Sequence, residues 1–168
     1  MEVTIETHRT ILFFQLLEQG ILVNGRIGES VRDFLVNRLG VENEYLESRI
    51  QTVFLSGKPV DDLDHTYIQN GSVVALSAAM PGLVGSTLRR GGHYASMRSG
   101  ISEQMGRKLE SNESVDVTVK LFNLVRKELG EQLFQQGIRI SALQLGRILS
   151  DQEIVLKIKS RERGSSRD

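Results

Sequence analysis

Hydrophobic positions follow two different periods along this chain. Residues 9–23, RTILFFQLLEQGILV, are apolar with a break at Gln19 and Gly20. Ile11, Phe13 and Phe14 suit a strand, as do Ile21, Leu22 and Val23, and residues 15–19 between them fit a helical turn equally well. Gly25 and Gly28 punctuate a loop. A helix follows. Ser30 can cap it by accepting a backbone N–H, Val31, Phe34, Leu35 and Leu39 share one face, and Gly40 suits the left-handed stop. Residues 41–48 are acidic and read as short helix or loop. Ile50, Val53, Phe54 and Leu55 predict a strand ending at the turn Ser56, Gly57, Lys58, Pro59. Asn70 and Gly71 make a second turn into a strand over residues 73–80. Its interior, VVALSAAM, alternates poorly, as in a strand covered on both faces.

The pattern changes after residue 80. Residues 81–106 are rich in glycine, serine and alanine and read as an extended arm, a length without regular structure that is uncommon in a compact domain. Val115, Val117, Val119 and Leu121 alternate as in a strand. Leu121, Val125, Leu129 and Leu133, with Phe122, Phe134 and Ile138, recur at helical spacing. The longer pattern favours a helix over residues 117–136 stopped by Gly137, with strand or helix left open over 115–121. Gly130 inside that helix costs about 1 kcal/mol against alanine. Ser141 can cap a further helix carrying Leu143, Leu145 and Ile148, and Ser150 with Glu153 fits a capping box for a third. Residues 161–168 read as a frayed tail.

These elements predict an α+β chain in four parts. Residues 1–80 form a mixed sheet with one packed helix, 81–106 the arm, 107–160 a small helical C-terminal unit, and 161–168 the tail. Its 168 residues, 39% of them apolar, suffice for a core without staples. The chain has no cysteine, which excludes disulfides, thiolate metal sites and cysteine nucleophiles. The start, MEVTIETHRT, lacks the basic and apolar regions of a secretory signal. The uncharged stretch 69–88 is too broken by Asn70, Gly71, Pro81, Gly82 and Gly85 to span a membrane. A cytoplasmic protein is expected. Net charge is zero but uneven: residues 1–82 hold eleven acidic and six basic residues, and residues 83–168 hold ten and fifteen. Two oppositely charged halves can attract each other, or the basic one can meet an acidic partner.

Little in the sequence points to catalysis. Asp61, Asp62, Asp64 and His65 are the densest polar cluster, but they lack the glycine and distal glutamate of a calcium loop and read as solvated turn residues. No G-x-S-x-G, H-E-x-x-H, phosphate loop or G-x-G-x-x-G occurs. No catalytic residue, metal site or cofactor is expected, and the chain reads as non-catalytic.

One segment of the arm has three possible uses. Leu88, Arg89, Arg90, Gly91, Gly92, His93 and Tyr94, with Arg98 beyond, combine guanidinium forks and an aromatic ring on flexible glycines, a combination able to contact RNA. Two adjacent arginines neutralise few phosphates, so nucleic acid is the weakest of the three. The arginines can instead pair with the acidic N-terminal half. The apolar Leu83, Val84, Leu88, Tyr94, Met97 and Ile101 can cover the sheet or cross to a second copy, giving a homodimer through residues 81–106.

The segment GKPVDD…TYIQNGSVVALS, together with the order of elements before it, resembles the ubiquitin-like β-grasp proteins. It is equally similar to the sulfur carriers of that fold, the small subunit of molybdopterin synthase and the thiamine-pathway carrier. The resemblance covers about residues 9–92. It matches Gly57 and Lys58 to the turn, Asp61 and Asp62 to the acidic connector, residues 68–76 to the last strand, and Gly91 and Gly92 to the terminal diglycine. It implies a β-grasp sheet and, if the chain is cut after Gly92, a carboxylate open to activation. In the carriers the diglycine ends the chain; here seventy-six residues follow Gly92. The favoured expectation is therefore a protein-interaction or scaffolding module using a sheet edge or the arm through Leu88, Arg89, Arg90, Tyr94 and Arg98. A carrier precursor cleaved after Gly92 is the alternative, and weak nucleic-acid binding the second alternative.

Overall fold

A computed structural model describes residues 2–6, 10–78, 82–94, 111, 113–150 and 155–159. The fold is α+β. Its elements are β1 (Glu2–Glu6), α1 (Thr10–Gln19), β2 (Ile21–Arg26), α2 (Val31–Asp33) continuing as a π turn (Phe34–Arg38), α3 (Asn43–Ser48), β3 (Thr52–Leu55), β4 (Lys58–Pro59), β5 (Val73–Ser77), α4 (Gly82–Leu88), β6 (Ser114–Phe122), α5 (Asn123–Gln136), α6 (Ala142–Ser150) and β7 (Val155–Lys159). β1 and β7 pair as a separate antiparallel ribbon. The main sheet is mixed, in the order β2-β6-β5-β3-β4. Only β5 and β6 run parallel within it.

Local chemistry explains most of these elements. The Ser30 hydroxyl accepts the Asp33 N–H at 3.0 Å and donates to the Asp33 carboxylate at 2.8 Å, which caps α2. The helix loosens into its π turn, where Leu39 N–H reaches back to Phe34 O at 3.2 Å, and the chain leaves through Gly40 at φ +72°. Between β3 and β4 both Ser56 (φ 49°) and Gly57 (φ 86°) are left-handed, the requirement of a tight two-residue hairpin.

The sheet buries one face. Val115, Val117, Val119 and Leu121 on β6 alternate with more exposed residues, and the register places them level with Ile21 on β2 and with Val74 and Leu76 on β5. Val53 and Leu55 continue the row on β3. Phe34 and Leu35 from the helix, Leu17 from α1, and Val125 and Leu133 from α5 join the same core. Burying each large side chain contributes about 1.5–3 kcal/mol before entropy is subtracted.

Three expectations are corrected here. Residues 11–14 are helical rather than extended, because Leu16 and Leu17 bury from one helix while the strand starts only after Gly20. Residues 114–122 are a strand, and the helix begins at Asn123. The strand wins because β6 sits between β2 and β5, so sheet pairing on both sides outweighs the helical spacing that starts at Leu121. The core therefore crosses the expected boundaries at residues 80 and 107. Gly130 has a packing reason: a Cβ there would lie 2.8 Å from Leu17 Cδ1, so the glycine lets α1 and α5 approach. Gly137 (φ +85°) ends α5 and Ser141 accepts from the Gln144 N–H, as expected. The third helix expected from Ser150 and Glu153 does not follow: Ser150 ends α6, and Val155–Lys159 form the strand β7, held by its pairing with β1; Glu153 and residues 161–168 lie outside the described residues.

Candidate functional site

The expected arm is built on a short helix and a turn. α4 runs through Leu88, and Arg89, Arg90 and Gly91 turn the chain, with Gly91 at φ +62° and the Gly92 N–H on Arg89 O at 3.2 Å. Arg90 points into the protein. Its backbone N–H donates to Gln51 O at 2.7 Å. Its Nη2 donates to Leu46 O at 2.9 Å and to the Glu47 carboxylate at 3.0 Å. The side chain is 11% exposed. Burial lowers its pKa from the usual arginine value, against the opposing pull of Glu47.

Glu47 is shared. Its other oxygen accepts from Arg32 Nη1 at 2.7 Å, and Arg32 Nε donates to Asp64 at 2.7 Å. Hydrogen bonds to Asp64 and then to Glu47 raise the Arg32 pKa. The chain Asp64–Arg32–Glu47–Arg90 thus ties the loop after β4, α2, α3 and the arm together. Arg90 pairs with the acidic N-terminal half, one of the three uses open to it from sequence.

The other expected residues separate. Leu88 is half-buried, and Arg89 and Tyr94 are exposed, with the Tyr94 ring edge-on to His93 at 5.2 Å between centroids. Arg98, Met97 and Ile101 lie outside the described residues. Gly91 and Gly92 lie mid-chain in the turn, and β6 lies beyond them. The Asp61–His65 loop binds itself: Asp62 accepts the Asp64 and His65 N–H groups and the His65 ring at 2.8 Å, and Asp64 is taken by Arg32. Among the described residues no group of three or more His, Cys, Asp or Glu could hold a metal, and no helix is long and apolar enough to cross a membrane.

The sheet edges are both blunted. β4 is two residues long and ends in Pro59. On β2 the Leu22 N–H donates to Arg139 O at 2.8 Å and the Arg26 N–H to the Glu29 carboxylate at 3.2 Å. Neither edge offers a long free ladder to an added strand. The sheet face opposite the core is more open. The register sets Leu22 beside Thr118, Thr118 beside Val73, and Lys120 beside Ala75, with Ala75 beside Phe54, and all six are only half-buried. Reading β5 as covered on both faces hid this surface. Glu47 gave no signal either, because it lies 43 residues from Arg90 in sequence.

No protein-family model matches this chain, nor does any curated protein or any solved structure.

Proposed function

We propose that this protein is a non-catalytic protein-interaction module of β-grasp type. The strand order with a single parallel pair supports the fold reading: β2 and β6 act as the first hairpin's two strands, β5 lies parallel to β6, and β3 and β4 follow. In that reading the chain is permuted, since the strand usually first in a β-grasp is β6. The interaction reading rests on one observation, the half-exposed face bearing Leu22, Phe54, Val73 and Ala75. An apolar sheet face left open beside polar neighbours suits a partner's apolar side chains. Phe54→Asp places a charge in its centre without touching the buried row. The protein, cross-linked to its partners in native cells, captures one or more of them; the variant folds and loses them. Capture that is unchanged by the substitution contradicts the reading.

The precursor reading has less support. A fragment ending at Gly92 lacks β6, which is β2's strand partner in the sheet and β5's parallel neighbour. A released carrier would have to fold without an interior strand of its sheet. Intact mass from the native cell distinguishes the two: the full-length chain fits the interaction module, and an isolated species ending at Gly92 fits the carrier.

A further inference from the structure

The open face of the sheet carries an excess of positive charge. Asp116 and Lys120 of β6 lie on it, and Arg26 stands exposed at the far end of β2. Asp116 is matched, since its two oxygens accept from Arg139 Nη1 and Nη2 at 2.9 and 3.0 Å. Lys120 is not. It forms no ion pair with any other described residue, and Glu18, two residues before Gly20 in the chain, is bound to Arg126.

Lys120 is also seated rather than loose. Gly20, at φ +116°, lies beside it: a Cβ there would come within 3.3 Å of Lys120 Cγ and 3.6 Å of its Cε. The stem therefore runs from β6 across Gly20 toward β2, and the residue is half-buried. Ala75 and Phe54 lie one and two strands away on the opposite side, at about 5 and 10 Å by strand spacing. A cation and an apolar strip stand side by side.

A partner that covers the strip also draws Lys120 out of water, and a desolvated cation left unpaired is costly. The partner must bring the anion. A second copy does not: its matching face carries the same cations, with its Asp116 already taken by Arg139, so like charge meets like.

We propose that this face takes a protein segment that sets a carboxylate on Lys120 and an apolar side chain on Val73, Ala75 and Phe54. The proposal rests on the interaction reading above and names the chemistry of its partner. Helical residues three or four apart lie about 5–6 Å from each other, so an Asp or Glu at that distance from a Leu, Ile or Phe spans both subsites.

Phage-displayed peptides of random sequence, selected on the immobilised full-length chain, test this. Amide exchange in β5 and β6 reports the fold of each variant. The wild type is expected to enrich an acid three or four positions from an apolar residue. Lys120→Glu is expected to enrich Lys or Arg in its place. The wild-type peptide, synthesised, is expected to bind Lys120→Met about tenfold more weakly, the size of a lost charge-assisted hydrogen bond. No enrichment by the wild type, or the same peptides enriched by Lys120→Glu, overturns the proposal. If Lys120→Glu does not fold, Lys120→Met decides, and undiminished binding overturns it. A concentration-dependent dimer abolished by Phe54→Asp assigns the face to a second copy and overturns it as well. Peptides lost with Phe54→Asp but indifferent to Lys120 leave the interaction reading standing and sink the acidic partner. Peptides indifferent to both substitutions sink both.

Discussion

β5 and the segment 82–94 that follows it are separated by a few residues and sit differently in the fold. β5 is paired on both sides, to β3 and to β6, and buries Val74 and Leu76 in the core. Residues 82–94 present Val84 to solvent, and their Arg90 donates to Leu46 O and to the Glu47 carboxylate. Continuity along the chain is therefore a poor guide to what belongs together. β5 depends on β6, which begins 37 residues beyond its last residue, more than on the segment attached to it. Apolar burial does not weaken with sequence separation, once the closure entropy of the connection is met.

Removing everything after Gly92 makes the strongest test of this contrast. The segment 82–92 stays and β6 goes, so far-UV circular dichroism is expected to show no cooperative unfolding. A shortened chain that melts cooperatively near the full-length temperature would mean that β6 is peripheral. Cutting a single core side chain comes next. Phe34→Ala is expected to cost about 3–5 kcal/mol in denaturant unfolding, because the ring is fully buried against a sheet that cannot collapse onto the space. Gly130→Ala sets two effects against each other. Alanine is favoured over glycine in a helix by about 1 kcal/mol, but its methyl would meet Leu17, which is itself fully buried. Overpacking of this kind costs about 1–3 kcal/mol, so a net loss of stability is expected, and a gain would show that α1 and α5 can part.

The smallest effect concerns a surface tie. Glu128 accepts from Arg49 and from the Tyr45 hydroxyl, the latter at 2.6 Å, joining α5 to α3. The Arg49 hydrogen bond, and after it that of Tyr45, lowers the Glu128 pKa. Its contribution is present above the unfolded glutamate value of about 4.3 and is lost as pH falls through the lower folded value. Glu128→Gln should therefore flatten the fall of melting temperature between about pH 5 and pH 3, by an amount limited by solvent screening. An identical slope in both proteins would remove Glu128 from the account.

Much of the sheet was legible because its signals are local. The Ser30 cap, the Gly40 stop, the Ser56–Gly57 hairpin and the Asn70–Gly71 turn each need only a few neighbouring residues. β6 was harder. Val115, Val117 and Val119 alternate as a strand should, yet Leu121, Val125 and Leu129 begin a helical period inside the same run. Only the vacant place between β2 and β5 decides between them, and that lies in the tertiary fold. α1 failed for a related reason, since Phe13 and Phe14 carry strand propensity whichever structure they adopt. At the arm, sequence pointed to the arginines but not to which one turns inward, because the deciding partner, Glu47, lies in a helix 43 residues upstream.

The most direct test is to cut the chain and see what stays together. A specific protease site inserted after Gly92 and cleaved in the folded protein yields one piece carrying β2 to β5 and another carrying β6 and α5. The two pieces are expected to co-elute as one species, with amide protection in β5 and β6 unchanged from the uncut protein. Pieces that part on a sizing column without denaturant, with β5 losing its protection only to the extent that β3 fails to hold it, would contradict a sheet completed by β6.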